Sequence, residues 1–199
     1  MNNIILLRDF EDRDIDFVFK CKNDTKLNSM IVGEFHPFTR EEAVKWVHGC
    51  MGEHENFKFW AICTNDEEQR IVGWISLSNI DLRNRSACHH GIVIGDKEYR
   101  DGTAMFEAML LSIKYAFDIL RLNRLYGSCL SEHKISPNML NAFGFVLEGT
   151  LRQSVYKDGR YYDELLYAML QEEYYSLKDK GAFDMSNLIL SFVKSKKSR

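Results

Sequence analysis

The sequence has few of the features that mark a secreted, metal-binding or membrane protein. Its five cysteines are odd in number and show no C-x-x-C spacing, which argues against disulfides and a zinc knuckle and favours a reducing, cytoplasmic location. The six histidines show no H-x-x-H or H-E-x-x-H spacing, so we expect no metal site. The early apolar run Ile4–Leu7 is far shorter than the ~20 residues of a membrane span. We therefore expect neither export nor membrane insertion.

The sequence also lacks a large excess of one charge, and it has few chain-breaking residues. The 26 basic residues nearly balance the 29 acidic ones, and a net charge of −3 gives no general attraction to nucleic acid. Only Pro37 and Pro137 occur in 199 residues, and no Gly/Ser-rich linker divides the chain. We predict one domain over residues 1–171, followed by a C-terminal helical extension over residues 172–199.

Short strands and helices alternate in the first half of the chain. Residues 4–10 predict a strand, and the apolar spacing in residues 12–22 predicts a helix. Thr39 stands three residues before Glu42, a capping-box pattern that predicts the start of a helix through about Met51. Three further strands are predicted at residues 57–63, 70–80 and 86–95.

The second half begins with a strongly periodic helix. Its apolar residues recur three or four positions apart, at Phe106, Met109, Leu110, Ile113, Phe117 and Leu120. A strand at 124–130, a short helix at 136–143 and a hairpin around Asp158-Gly159 follow. Strand, helix and strand in the middle predict a parallel crossover between antiparallel hairpins, so the fold class is α/β with a mixed sheet.

The segment between Gly95 and Thr103 carries the clearest chemical signal. A glycine-containing turn joins a strand to a helix, so backbone N–H groups and the positive end of the helix dipole point towards an anion. Arg100 would add a charged hydrogen bond. The alternative is a plain turn in which a threonine caps the helix.

Longer motifs resemble a known family. The segments "GIVIGDKEYRDGTAMFEAM", "YAFDILRLNRLY" and "FGFVLEGTLRQSVYKDGRYYDELLYAML" together resemble the GNAT superfamily of N-acetyltransferases. They look most like the branch of the ribosomal-protein alanine, spermidine and amino-sugar acetyltransferases. The resemblance implies a mixed, mostly antiparallel sheet with a central, splayed parallel strand pair and helices on both faces. It also implies acetyl-CoA as the acyl donor.

The resemblance also implies where the donor binds. Acetyl-CoA would lie where the strand through Ile94 splays from the strand through Leu125, with its diphosphate on the loop that follows. The residues implied for this site are Ile92, Val93, Ile94, Arg100, Asp101, Gly102, Thr103, Ala104, Met105, His133 and Ser136.

Two departures from the family pattern affect this site. Without a gap, Thr103 and Met105 occupy the small-residue positions of the loop, whereas a one-residue shift brings Gly102 and Ala104 there. The helix spacing downstream favours no gap. His133 replaces a common Asn, and Leu140 stands where many relatives have a Tyr that protonates the leaving thiolate.

Direct attack by an amine requires that the amine first lose its proton. His90 is one candidate base, because strand alternation places it on one face with Ile92 and Ile94. Glu34 and His36 are the others, because they fall where the family forms its acceptor-binding wall. For each residue the alternative is structural: a satisfied buried histidine, or a solvent-facing loop.

The predicted function is transfer of an acetyl group to a primary amine. A protein N-terminus, a polyamine and an amino-sugar nucleotide are the open acceptors. The alternative is a non-catalytic acyl-CoA-binding or regulatory module on the same fold. The C-terminal apolar stripe of Leu188, Ile189, Phe192 and Val193 must be covered by the domain or by a second chain, which would give a homodimer.

Overall fold

A computed structural model describes residues 3–29 and 35–197, apart from the side chains of His90 and of residues 195–197. The described residues fall into two compact units. The first holds residues 3–29, 35–79 and 90–112, and the second holds residues 80–89 and 113–197.

The first unit begins with a short strand and a group of helices. They are β1 (Ile5–Arg8), a 3-10 turn (Asp12–Asp14), α1 (Ile15–Lys22), α2 (Thr25–Asn28) and α3 (Arg40–Cys50). β2 (Lys58–Thr64) follows and pairs antiparallel with β1 and with β3 (Ile71–Asp81). The unit also takes in the end of β4 (Ser86–Ile94), a 3-10 turn (Lys97–Tyr99) and most of α4 (Thr103–Lys114).

The predicted capping box starts α3. The Thr39 hydroxyl accepts the N–H of Glu42 at 3.2 Å, and the Glu42 carboxylate accepts the N–H of Thr39 at 2.7 Å. Both donors would otherwise lack an intrahelical partner. The helix that the sequence predicts from this motif is therefore confirmed.

The core of the first unit lies where α1 and α3 pack with β2 and β3. Its fully buried members include Val18, Ala43, Val47, Ala61 and Cys63, and Trp46 and Val93 pack against it from partly buried positions. Glu107 of α4 is buried as well, with 7% of its surface exposed, and its carboxylate accepts the N–H groups of Ile4 and Ile5. A buried carboxyl group thus joins α4 to the start of β1.

The second unit contains the beginning of β4 and most later elements. A π-helical turn (Tyr115–Ile119) continues α4, and β5 (Arg124–Leu130), α5 (Ser136–Ala142), β6 (Val146–Lys157) and β7 (Arg160–Leu170) follow. The chain then forms α6 (Gln171–Asp179) and α7 (Met185–Lys197). Asp158 and Gly159, at φ 50° and 80°, make the predicted tight turn between β6 and β7.

The strand pairing confirms the predicted fold class. Over the described residues the strand order is β1-β2-β3-β4-β5-β7-β6. β4 and β5 pair in parallel, Ser86 to Cys88 against Arg124 to Tyr126, while β7 pairs antiparallel with both β5 and β6. This is a mixed, mostly antiparallel sheet with one parallel pair, as the sequence predicts. Among the helices of the described segments, none has the length and apolarity to cross a bilayer.

The C-terminal stripe is covered only in part. Leu188 of α7 is fully buried and Phe192 is half-buried, whereas Ile189 and Val193 are 44% and 45% exposed. The homodimer through this segment and the boundary at residue 171 stay predictions.

Candidate functional site

The loop after β4 is fixed at its first residues. Asp96 accepts the N–H of Glu98 at 3.0 Å and forms an ion pair with Arg70 of the first unit. Burial opposes ionisation of this carboxyl, but Arg70 and the Glu98 amide hold the pKa of Asp96 below its usual value. The loop therefore leaves the strand in a defined direction.

Arg100 holds the end of β4 through backbone carbonyls. Its Nε donates to the carbonyl oxygen of Ile94 at 2.9 Å, and its Nη2 donates to that of Gly95 at 2.8 Å. These contacts use two of the five N–H donors of the guanidinium. Arg100 is exposed, so its charge lies at the surface of the loop where the sequence predicts anion binding.

Helix α4 begins with a left-handed residue and an acidic cap. Gly102 has φ 105° and its carbonyl accepts the N–H of Phe106 at 3.0 Å, which closes the first turn. The Asp101 carboxylate accepts the Thr103 N–H at 2.9 Å and the Thr103 hydroxyl at 3.2 Å. One helix-terminal donor is thus taken by a side chain, and the next amides are those of Ala104 and Met105.

Of these residues, Ala104 is buried and Met105 is half-buried. Gly102 therefore occupies the position that needs a glycine, and Ala104 supplies a small buried side chain in the first turn. This arrangement is compatible with the shifted alignment of the loop, in which these two residues are the small ones. The choice between the two alignments stays a prediction.

His133 and Ser136 come together in the second unit, at the start of α5. The Nδ1 of His133 accepts the N–H of Ser136 at 3.0 Å and that of Ile135 at 3.3 Å. Burial lowers the pKa of His133, and the positive charge of Lys157 lowers it further. The neutral imidazole is therefore favoured, and since Nδ1 accepts both amides, its proton lies on Nε2.

Of the three candidate bases, only His36 has a side chain among the described residues. His90 belongs to β4, but its side chain lies outside the described residues, as does all of Glu34. His36 is exposed in the segment before α3. Their roles stay predictions. Leu140, at the position of the missing tyrosine, is buried in α5.

A carboxylate that the sequence interpretation missed lies on one face of the second unit's strands. Glu164 of β7 accepts the Ser128 hydroxyl of β5 at 2.5 Å and the Ser154 hydroxyl of β6 at 3.3 Å. In the described part of the chain no cationic side chain pairs with it. Strand alternation in "YYDELLYAML" places Glu164 on one face with Tyr162 and Leu166, but does not reveal its partners on other strands.

The described segments contain no candidate metal site. No group of three or more His, Cys, Asp or Glu side chains there is arranged to hold a metal ion.

Comparison with known proteins identifies similar sequences. A family model described as an acetyltransferase (GNAT) domain matches residues 5–146. An uncharacterized N-acetyltransferase of Bacillus subtilis is 24% identical over 169 residues, 84% of this chain and 93% of that protein. The spermidine N(1)-acetyltransferase of Vibrio cholerae is 26% identical over 175 residues, 87% of this chain and 97% of that protein. The ribosomal protein uS5 alanine N-acetyltransferase of Escherichia coli is 30% identical over 103 residues, 52% and 53% of the two chains.

Solved structures share the fold. An acetyltransferase (GNAT family) from Bacillus anthracis matches with a TM-score of 0.73 and 25% identity, over 87% of this chain and 98% of the other. The Vibrio cholerae spermidine N-acetyltransferase in complex with CoA and spermine matches with a TM-score of 0.75 and 23% identity, over 87% and 99%.

Proposed function

Because the chain belongs to the GNAT family of acetyltransferases, we propose that it transfers the acetyl group of acetyl-CoA to a cationic primary amine by direct attack. Acetyl-CoA is the acyl-donor substrate of this family. In the proposed step the ammonium first loses a proton to a base, the amine nitrogen then attacks the thioester carbonyl carbon, and the carbon–sulfur bond breaks. An amide and CoA thiol are released, and no covalent enzyme intermediate forms.

The start of α4 is the observation that carries the donor side of the proposal. The left-handed Gly102 turns the chain into the helix, so that the amides of Ala104 and Met105 lie at the positive end of its dipole. Arg100 adds a positive charge at the surface of the same loop. We assign the diphosphate of acetyl-CoA to the segment from Arg100 to Met105 and the pantetheine arm to the backbone of Ile92, Val93 and Ile94.

In the second unit, His133 and Ser136 support CoA binding, and Leu140 bears on how the departing thiolate gains its proton. The Nε2–H of His133 is a donor for the CoA moiety, and Ser136 lies beside it at the start of α5. Leu140 offers no phenol, so a solvent proton or the proton released by the amine must reach the departing thiolate.

Glu164 supports a cationic acceptor. Its carboxylate is held by two serine hydroxyls and lacks a cationic partner in the described part of the chain. A negative charge attracts an ammonium group and repels the diphosphate of a nucleotide sugar. Two similar proteins are named for amine acceptors, spermidine and a ribosomal-protein alanine. We therefore favour a polyamine or a protein N-terminus over an amino-sugar nucleotide.

His90, Glu34 and His36 remain our candidates for the group that removes the amine proton. A histidine titrates near neutral pH, and a carboxylate relays a proton through water. Replacing His90 by Ala tests the first of them through the pH profile of turnover. If the profile and the rate are unchanged, Glu34, His36 or water is the base instead.

Substituting Glu164→Gln tests the acceptor assignment. We expect KM for a polyamine or an N-terminal peptide to rise about tenfold, while KM for acetyl-CoA stays the same, because only the attraction of the ammonium is lost. Glu172→Gln, which removes an exposed carboxylate from α6, is the matched control. Release of CoA thiol gives both constants. An unchanged amine KM in the Glu164 variant would remove this residue from the acceptor site.

A further inference from the structure

Strand β6 carries a bulge where it passes Asp163 of β7. The ladder between the two strands is interrupted after the pair of Leu151 and Glu164, and residues 152–154 of β6 stand against the single residue Asp163. Inside the bulge Gln153 has φ 53°, a left-handed conformation that few residues with a β-carbon adopt. Such a conformation persists only where neighbouring contacts hold it.

Asp163 supplies such a contact. Its Oδ1 accepts the N–H of Gln153 at 2.8 Å, so the carboxylate binds the left-handed residue at the centre of the bulge. Its backbone carbonyl accepts the N–H of Ser131, which follows β5, at 2.9 Å. Asp163 thus joins the bulge of β6 to the end of β5, and its position is fixed from both neighbouring strands.

The bulge brings the Ser154 hydroxyl to Glu164. If the antiparallel ladder continued without a bulge, Ser154 would stand opposite Tyr161, three residues before Glu164. Because strand side chains alternate, it would also point away from the face that carries the Glu164 carboxylate. In the structure the Ser154 hydroxyl donates to Oε2 of Glu164 at 3.3 Å. This hydrogen bond forms because residues 152–154 depart from the regular ladder.

The carboxylate of Glu164 is held at both oxygens. Its Oε1 accepts the Ser128 hydroxyl of β5 at 2.5 Å, while its Oε2 accepts the Ser154 hydroxyl of β6. The two donors come from the strands on either side of β7, so the hydrogen bonds restrict rotation of the side chain from opposite directions. Each carboxylate oxygen has two lone pairs, so an ammonium N–H can bind beside each hydroxyl.

We propose that Asp163 is a positioning residue for the amine acceptor. By holding the bulge it places the Ser154 hydroxyl on Glu164, and the carboxylate is thereby fixed in the orientation that receives the ammonium. Asp163 itself does not touch the acceptor, because alternation along β7 directs its side chain to the other face of the sheet. This role rests on the proposed acceptor function of Glu164 and adds to it a residue that acts through the backbone of β6.

Single substitutions separate a positioning role of Asp163 from a structural one. Asp163→Ala removes the acceptor of the Gln153 N–H, whereas Asp163→Asn keeps a side-chain oxygen there. Ser154→Ala removes the hydroxyl itself and decides the question if Asp163→Ala does not fold. Thr150→Ala is the matched control, because this residue is exposed on the same strand and its side chain lies on the other face. Release of CoA thiol, with spermidine and with a peptide that begins with alanine, gives kcat and KM for the amine and for acetyl-CoA.

In Asp163→Ala and in Ser154→Ala we expect KM for the amine to rise about fivefold, because a freed carboxylate must lose rotational freedom when it binds the ammonium. KM for acetyl-CoA and kcat should stay the same, and Asp163→Asn should resemble the wild type. The double variant should show no larger increase than either single one, since both substitutions remove the same hydrogen bond to Glu164. A structural role would instead change both KM values and make the two effects add.

The Glu164→Gln variant distinguishes failure of the positioning role from failure of the acceptor assignment. If it raises KM for the amine while Asp163→Ala and Ser154→Ala do not, the positioning role is wrong and the acceptor assignment stands. An increase in Asp163→Ala that Ser154→Ala does not share would also overturn the positioning role. If Glu164→Gln has no effect, or the wild type acetylates neither amine, the acceptor role of Glu164 fails and the role of Asp163 fails with it.

Discussion

At the scale of single residues, the backbone of Gly102 decides how α4 begins. Its φ of 105° lies in a region that residues with a β-carbon rarely adopt. The surroundings leave room for a methyl group, since the nearest side-chain atom to a β-carbon there would be Phe106 Cε2 at 4.0 Å. Any effect of substitution therefore reports on the backbone and not on a steric clash.

The first prediction concerns Gly102→Ala. We expect acetyl-CoA to bind about tenfold more weakly, because a strained or shifted turn misplaces the amides of Ala104 and Met105. The free energy of unfolding should fall by about 1 kcal/mol, because alanine is strained at this positive φ. Calorimetric titration and urea unfolding give the two quantities.

Gly49→Ala is the control for this variant. Gly49 lies in α3, has open space at its β-carbon and should become slightly more stable, by about 0.5–1 kcal/mol, with unchanged acetyl-CoA binding. Equal affinity of the Gly102 variant and the wild type for acetyl-CoA would separate this turn from donor binding.

At the scale of secondary-structure elements, His133 sets the start of α5. Replacing it by Ala leaves the amides of Ser136 and Ile135 without their acceptor, and we expect a loss of about 1 kcal/mol of stability. His133→Asn restores a side-chain acceptor and should recover much of this loss. Urea unfolding at pH 8 compares the three proteins.

The same residue predicts a pH dependence. The pKa of His133 is lower in the folded protein than the ordinary 6.5, so the unfolded chain binds this proton more readily. Its contribution to stability is present above pH 6.5 and is lost as the pH falls below that value. The Asn variant, which cannot titrate, should lose less stability between pH 7.5 and pH 5.5, and an identical loss in both proteins would refute the assignment.

The buried side chain of Tyr174 in α6 contacts the π-helical turn at 115–119. The Tyr174 hydroxyl donates to Asp118 at 2.9 Å, and its ring stacks on Phe117 with centroids 4.7 Å apart. Tyr174→Phe keeps the stacking and should cost about 1 kcal/mol of unfolding free energy through the lost hydrogen bond. Tyr161→Phe, at a ring that is 63% exposed, should cost nothing measurable. Similar values for both variants would contradict a stabilising role of the hydroxyl.

Local sequence patterns predicted most of the secondary-structure elements. They did not predict contacts between residues that are far apart in the sequence. The strand Arg124–Leu130, the cap of α3 and the Asp158-Gly159 turn depend on neighbouring residues and are confirmed. The π-helical turn at 115–119 was missed, because its apolar spacing also suits a regular helix. Glu164 was missed because its serine partners come from other strands. The roles of the named site residues are still predictions, because they depend on ligands.

At the scale of the whole molecule, the net charge is too small to attract either substrate strongly. We therefore assign substrate selection to local charges. The net charge of −3 gives no long-range attraction for acetyl-CoA, which is itself an anion. Donor binding is therefore assigned to Arg100 and the positive end of α4, and acceptor binding to the carboxylate of Glu164. In this proposal, small and separate groups of side chains recognise the two substrates on a chain of low net charge.

Calorimetric titration of the folded protein with acetyl-CoA, with CoA and desulfo-CoA in parallel, tests the account most directly. We expect micromolar binding of all three ligands, because the diphosphate and pantetheine contacts assigned to residues 92–94 and 100–105 do not require the sulfur. Absence of binding by protein shown to be folded would contradict the donor site, and with it the proposed transfer to an amine.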